Sequence, residues 1–339
     1  MKRPTLPFAR WLLPLLWLTA GCSGDSNVMD PRGPDAARIA DLSWILFTAG
    51  TVIFLAVMGL TLFALWRAHG RGEENELDPV VGRRFVIWGG IGLPILVLLG
   101  FLVVSVDTDR RSLASQFGDA EDVLTIEITG RQFWWDVRYR ADSPHREIRT
   151  ANEIHIPVGL PVRLELRAAD VIHSFWVPSL QGKMDLIPGR VNTLFIQADE
   201  PGVMLGYCAE FCGDAHAHMQ MIVVAQDPAE FEGWWESQLR RRERPSDPEL
   251  AEGFDVFMAK SCAFCHTIRG TLAGGRTGPD LTHFGGRRTI AAAVLPNTRG
   301  HLMGWLADPQ ALKPGNHMPS VPLEGQDLQL LADYLLSLH

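Results

Sequence analysis

Residues 208 to 219 read CAEFCGDAHAHM. Cys208, Cys212, His216 and Met219 recur at intervals of four, four and three, which places two thiols, an imidazole and a thioether in one short loop. Soft sulfur ligands with imidazole select copper, zinc or iron–sulfur. A zinc site would use both cysteines and two histidines and leave Met219 idle. A disulfide between Cys208 and Cys212 is the plainer alternative in an oxidising compartment. A mononuclear blue-copper site needs only one cysteine. Two thiolates with a thioether suit two copper ions bridged by both sulfurs, and each ion then needs an imidazole. His216 supplies one, and the other has to come from a separate loop.

The rest of the chain supplies the compartment. Its 339 residues allow two or three domains, and a formal charge of −8 argues against a nucleic-acid partner. Five cysteines fall as Cys22 and two close pairs, Cys208/Cys212 and Cys262/Cys265. Residues 1–22 have a basic start, an apolar stretch from Trp11 to Leu18 and small residues before Cys22, the pattern of an export signal. The ending TAGC resembles a lipoprotein processing site, with Cys22 as the lipidated residue and new N-terminus. A transmembrane hairpin is expected over 40–110, with uncharged spans at 44–66 and 85–106. Each covers about 33 Å at roughly 1.5 Å per residue, enough for a bilayer core. Arg67, Arg71, Arg83 and Arg84 lie between the spans and place that loop in the cytoplasm, so the mature N-terminus and everything after Val106 lie outside. The export signal demands the same orientation.

From residue 121 to 225 short alternating, β-branched runs such as VLTIEITG, EIHIPVG and PVRLELRA predict an all-β sandwich or barrel. Residues 226–248 are charged and end as a linker. From Glu249 to 339 the periodicity is helical, closing on an amphipathic helix with Leu328, Leu331, Tyr334 and Leu335 on one face. CAFCH, residues 262–266, is the attachment signature of c-type haem: Cys262 and Cys265 reach two vinyl groups and His266 faces the iron. Met318, in NHMPSVP, is the expected sixth ligand, with His317 its near rival. His283, His301, Met258 and Met303 read as surface or packing residues. A His/Met pair raises the haem potential and suits an electron carrier. GPDLTHFGGR, residues 278–287, resembles the loop of small class I cytochromes c whose proline backs the proximal histidine, here Pro279. Arg287 is a candidate partner for a haem propionate.

DVIHSFWVP at 170–178 and QGKMDLIPGR at 181–190, together with GYCAEFCGDAHAHM, resemble cytochrome c oxidase subunit II over nearly the whole chain. The appended CxxCH domain is similar to that of the caa-type oxidases. The resemblance implies a multidomain protein: a two-helix transmembrane hairpin, an all-β cupredoxin-like Greek-key sandwich and an all-α class I cytochrome c domain. It makes His173 the missing imidazole of a dinuclear CuA centre. Cys208 and Cys212 would bridge, His173 and His216 would be terminal, Met219 would bind one copper and the main-chain carbonyl of Glu210 the other. His218 and Met221 fall outside that pattern. The Glu210 carboxylate resembles the family's magnesium ligand at the boundary with subunit I. RQFWWD at 131–136 resembles the aromatic patch that receives electrons from cytochrome c, here Phe133, Trp134 and Trp135, with Phe133 departing from the usual tryptophan. GRRFVIW before the second span lacks the carboxylate many relatives carry near a proton-uptake path.

The implied function is electron input to a terminal oxidase in a bacterial inner membrane, with the copper and haem domains on the periplasmic side. Electrons would pass from cytochrome c or another periplasmic donor to haem c, then to CuA, then to haem in subunit I, where oxygen is reduced to water and protons are pumped. Subunits I and III and the lipid bilayer are the implied partners, and the oxygen-reducing site is not in this chain. Two rival readings are the copper subunit of a nitric-oxide reductase and a membrane-anchored copper-delivery lipoprotein. The quinol-oxidase branch is disfavoured because its subunit II lacks the copper ligands present here.

Overall fold

The computed structural model describes residues 27–69, 78–118, 120 and 122–339. The export signal and Cys22 lie outside the described residues. The chain forms two compact units, one of Ala37–Ala120 and one of Met1–Ala36 with Glu121–His339.

The first unit is built on two long apolar helices. Helix α1 runs Pro34–Ala68, and α2 runs Pro79–Arg110 through a π-helical stretch at Trp88–Gly92. Asp78 caps α2 by accepting from the Val80 amide at 2.9 Å, and Pro79 occupies the first turn, where a missing N–H costs nothing. Both helices extend beyond the spans expected at 44–66 and 85–106. Among the described residues none covers their apolar windows, and rings such as Phe47, Trp66 and Trp88 stand exposed. A short helix, α3 (Leu113–Phe117), follows.

The second unit holds a ten-stranded sandwich and a helical domain. The strands are β1 (Leu124–Arg131), β2 (Trp134–Tyr139), β3 (Ile148–Ala151), β4 (Glu153–Pro157), β5 (Val162–Ala168), β6 (His173–Trp176), β7 (Met184–Leu186), β8 (Asn192–Ile196), β9 (Gly202–Cys208) and β10 (Gln220–Gln226). One sheet has the order β3-β2-β1-β5-β8, the other β4-β10-β9-β6-β7. In β1 and β5 the period-two alternation turns Ile126, Ile128, Val162, Leu164 and Leu166 into the core, where the parallel register pairs Ile126 with Leu164. Tyr139 is buried in the same core and ties its hydroxyl to the amide and carbonyl of His155. The architecture is a cupredoxin-like β-sandwich.

Residues 226–248 are not a linker throughout. Pro228–Gln238 forms helix α4, and its Phe231 and Trp235 are buried in the sandwich core against Tyr139. The charged composition concealed one apolar stripe, Phe231, Trp234 and Trp235, that the sandwich requires as a cover. Only the following stretch, 239–247, connects the two domains.

The helical domain contains α5 (Pro248–Ala259), α6 (Cys262–Cys265), α7 (Arg299–Ala307), α8 (Pro309–Leu312) and α9 (Gly325–Leu336). Helices α5 and α9 pack closely because residue 253 is glycine; a Cβ there would lie 2.2 Å from the Leu330 carbonyl oxygen. Leu331, Tyr334 and Leu335 of α9 are buried with Phe257 of α5, and Leu328 packs at the edge of that core. The domain rests directly on the sandwich. Arg288 donates its amide to Glu153 at 2.9 Å, the Arg287 guanidinium donates to Thr150 Oγ1 at 3.2 Å, and Gln220 donates its amide to the Ala292 carbonyl at 3.2 Å.

Two expectations follow. Trp235→Ala should destabilise the sandwich by about 3–5 kcal/mol, as removal of a large buried ring does; a denaturation midpoint unchanged from the parent would show α4 to be a dispensable appendage. Glu153 is held below its ordinary carboxylate range. Burial opposes ionisation there, but the His155 imidazole and the Arg288 amide outweigh it. A depressed folded pKa gives stability that is complete above the unfolded value, about 4.5, and is lost as pH falls through the folded value. Thermal unfolding of Glu153→Gln should therefore show a deficit near neutral pH that closes on acidification.

Candidate metal and haem sites

The metal-ligating residues meet because two strands are neighbours. β6 and β9 pair antiparallel, with Phe175 opposite Cys208. Ala209 donates its amide to Ser174 and Cys208 donates its amide to the Met219 carbonyl, both at 2.9 Å, which closes the 208–219 loop on itself. His173 Nδ1 lies 3.9 Å from Cys208 Sγ, and His216 Nδ1 lies 3.7 Å from Cys212 Sγ. Met219 Sδ is 3.8 Å from Cys212 Sγ, and the Glu210 carbonyl oxygen is 3.2 Å from Cys208 Sγ. The two cysteines are free thiols with sulfurs 3.8 Å apart, far beyond the roughly 2.05 Å of a disulfide.

These separations fit metal ligation. Ligand atoms at roughly 2.0–2.3 Å from a shared ion stand somewhat less than twice that apart. The donors of His173, Cys208 and Cys212 lie within 4.8 Å of one another and all three residues are buried. Sharing a proton between the sulfurs holds the Cys208 thiol well below its ordinary range and, with burial, pushes Cys212 up. The pair thus carries negative charge in a buried place, which a cation would neutralise.

Asp170 completes the arrangement and was not singled out by its sequence context. Its carboxylate accepts from His173 Nε2 at 2.7 Å and from the amides of Gln132 and Val171, which turns Nδ1 toward the thiols. A carboxylate three residues before a ligating histidine is the signal that would have found it. Gly130 is equally specific, because a Cβ there would lie 2.8 Å from the His173 ring. His218 is exposed and Met221 is in the core. The Glu210 carboxylate is partly exposed, 3.6 Å from Lys183 Nζ.

RQFWWD divides by position. Trp135 is wholly buried, packed edge-on against His173 and Phe175, and is a core ring rather than a surface one. Phe133 and Trp134 instead line a cavity of about 560 Å³ that the sandwich shares with the helical domain. Cys262, Cys265, His266 and Met318 line it from the other side. His266 donates Nδ1–H to the Pro279 carbonyl at 2.8 Å, leaving Nε2 for an iron ligand. Gly278 allows this, since a Cβ there would lie 2.6 Å from the ring. Arg287 reaches the same cavity with its buried Nε unpaired, a donor suited to a propionate. His317 also lines the cavity, its ring 5.8 Å from Phe133. His283 is buried and kept neutral, pushed down to about 3 by desolvation and by Arg242, Arg269 and Arg287, so it serves packing.

The described residues thus comprise two helices of membrane-spanning length, a cupredoxin-like domain with a sulfur-rich group of donors and a helical domain carrying a CxxCH motif. Residues 140–226 match the family described as cytochrome c oxidase subunit II, periplasmic domain, and residues 250–339 match cytochrome c. The chain is 37% identical to cytochrome c oxidase subunit 2 of Alkalihalophilus pseudofirmus, covering 96% of each protein. It is 31% identical to that of Bacillus subtilis, covering 96% of this chain and 95% of the relative. The periplasmic domain of Bradyrhizobium japonicum oxidase subunit II is 32% identical with a TM-score of 0.32, over 34% of this chain and 92% of that one. The chain belongs to the cytochrome c oxidase subunit 2 family, and so is a subunit of an oxidoreductase complex whose domains imply copper and haem c.

Gly130→Ala should displace His173 and lower copper retention by about tenfold or more, the usual scale for disturbing a ligand's support. Copper analysis after dialysis against a chelator checks it; retention equal to the parent's would show that His173 is not a ligand.

Proposed function

We propose that this chain is the electron-input subunit of a haem–copper terminal oxidase, with its copper and haem domains on the outer side of a bacterial inner membrane. The observation that carries this reading is the convergence of two free thiols, two imidazoles, a thioether and a carbonyl within 3.2–3.9 Å contacts. When bound, haem c and a dinuclear copper centre would supply one-electron chemistry, relaying electrons from a periplasmic donor such as cytochrome c toward haem in subunit I, where oxygen is reduced to water with proton pumping.

The chain's own residues would do the holding and orienting. Cys208 and Cys212 would bridge two coppers, with His173 and Met219, His216 and the Glu210 carbonyl completing their shells. Both sulfurs sit on a β-strand end and a tight loop, so the ligands need little movement when charge changes. Asp170 keeps His173 in the required tautomer. Cys262 and Cys265 would anchor the porphyrin, His266 and Met318 would flank its iron, and Pro279 would hold the His266 ring. Phe133 and Trp134 line the haem cavity and would form the electron-input surface, while Trp135 supports His173 from below. The Glu210 carboxylate would face subunit I and be available to magnesium there. Membrane anchoring would come from α1 and α2, with the arginine-bearing segment between them in the cytoplasm and a lipid on Cys22 as a further tether. Subunit III is a further expected neighbour in the assembled oxidase.

Metal analysis of the purified full chain tests this. Two coppers per covalent haem are expected, and Cys212→Ser should abolish the pair while leaving the haem intact. One copper, or zinc, in the parent protein would overturn the reading.

A further inference from the structure

The copper-side and haem-side loops meet at the Gln132–Phe133 turn. Gln132 donates Nε2–H to the Cys212 carbonyl at 2.6 Å and its amide to Asp170, the carboxylate that orients His173. The Phe133 ring faces His317, the residue before Met318. Lys313 enters this junction from the end of α8. Its side chain is 2% exposed, and Nζ donates to the Phe133 carbonyl at 2.7 Å and to the Ala291 carbonyl at 3.0 Å.

Two features make this contact unusual. Among the described residues no carboxylate pairs with Lys313, and burying an ammonium without a counter-ion is costly, so desolvation pushes its pKa down to about 7. An apolar side chain would fill the same space more cheaply, so packing alone does not account for a lysine. Ala291 also opens a left-handed turn, with φ of 56°, 63° and 61° at Ala291, Ala292 and Ala293. Alanine adopts that conformation only where surrounding bonds impose it. Here the bonds are Lys313 on the Ala291 carbonyl and the Gln220 amide, adjacent to Met219, on the Ala292 carbonyl. One ammonium thus joins the turn that touches the copper loop, the left-handed turn under it and the chain leading to Met318.

We propose that Lys313 is a positioning residue, a latch that holds the Met318 loop on the Gln132–Phe133 turn and so sets the spacing between the haem-binding and copper-binding loops. Its kinetic consequence rests on the function proposed above; the latch itself is a property of the polypeptide. Lys313 borders the haem cavity without belonging to either ligand set, and it acts through the Phe133 backbone. Without it the Phe133 carbonyl has no other hydrogen-bond donor among the described residues, and the two loops lose this tie.

The full chain in detergent, with Lys313→Met and Lys313→Gln, provides the test. Hydrogen exchange should rise at least about tenfold in peptides spanning 131–135 and 289–294 of the methionine variant, with β5–β8 unchanged. Copper and haem contents and their spectra should match the parent's. Transfer from flash-reduced haem to copper should slow by at least about tenfold, the scale of a lost ångström of positioning. The glutamine variant, which keeps an N–H donor, should fall between, and it carries the test if the methionine variant does not fold. Exchange and transfer within about twofold of the parent, or faster exchange throughout the chain instead of at the junction, overturn the proposal. Should the parent hold no copper pair, the functional reading fails and the exchange measurement alone supports or overturns the latch.

Discussion

The pairing of β6 with β9 is the constraint on which the cluster of sulfur and imidazole donors depends. His173 starts one strand and Cys208 ends its neighbour, thirty-five residues later. The ladder bond from Ala209 to Ser174 fixes their separation, and the bond from Cys208 to Met219 fixes the return of the loop. Every other donor then follows from a few residues of tight chain. Because β6 and β9 lie inside a five-stranded sheet closed on a packed core, the cluster inherits the rigidity of the sandwich. Ligands held this way cannot easily rearrange when an ion changes charge, which suits a carrier of electrons better than a carrier of metal.

Fusion of the cytochrome domain changes what the sandwich must recognise. A separate donor finds its docking face by diffusion and leaves again. Here the helical domain packs on the sandwich and is tethered to it, at an effective concentration set by the short 239–247 connection. The contacts are correspondingly permanent in kind: backbone amides and carbonyls, a buried Glu153, a buried Lys313 and a glycine, Gly315, where a Cβ would come within 2.5 Å of Asp214. Phe133 is smaller than tryptophan and lies against His317 in that interface.

Much of this was legible in the sequence because it is local. The two spans, the CxxCH signature, the 208–219 ligands and the strands with clean alternation all declare themselves within a dozen residues. β2, β3, β6, β7 and β9 did not. They are short or carry aromatics, glycine, histidine or cysteine in place of clean alternation. Helix α4 hid among charges because only one narrow stripe of it is covered. Gly130 and Lys313 act across the fold, through contacts with residues 43 and 180 positions away, and leave no local pattern, whereas Asp170 is three residues from the His173 it orients. Trp135 looked like its two neighbours in RQFWWD, yet strand alternation sends it to the core and Trp134 to the cavity, while Phe133, in the turn before the strand, is buried where it also lines that cavity.

The proposed electron-input role requires that the paired sulfurs hold paired metals. Electron paramagnetic resonance of the oxidised full chain tests that most directly. One unpaired electron delocalised equally over two copper nuclei, with the haem signal distinct from it, is the predicted spectrum. Hyperfine structure from a single copper nucleus, or no copper signal at all, would contradict it.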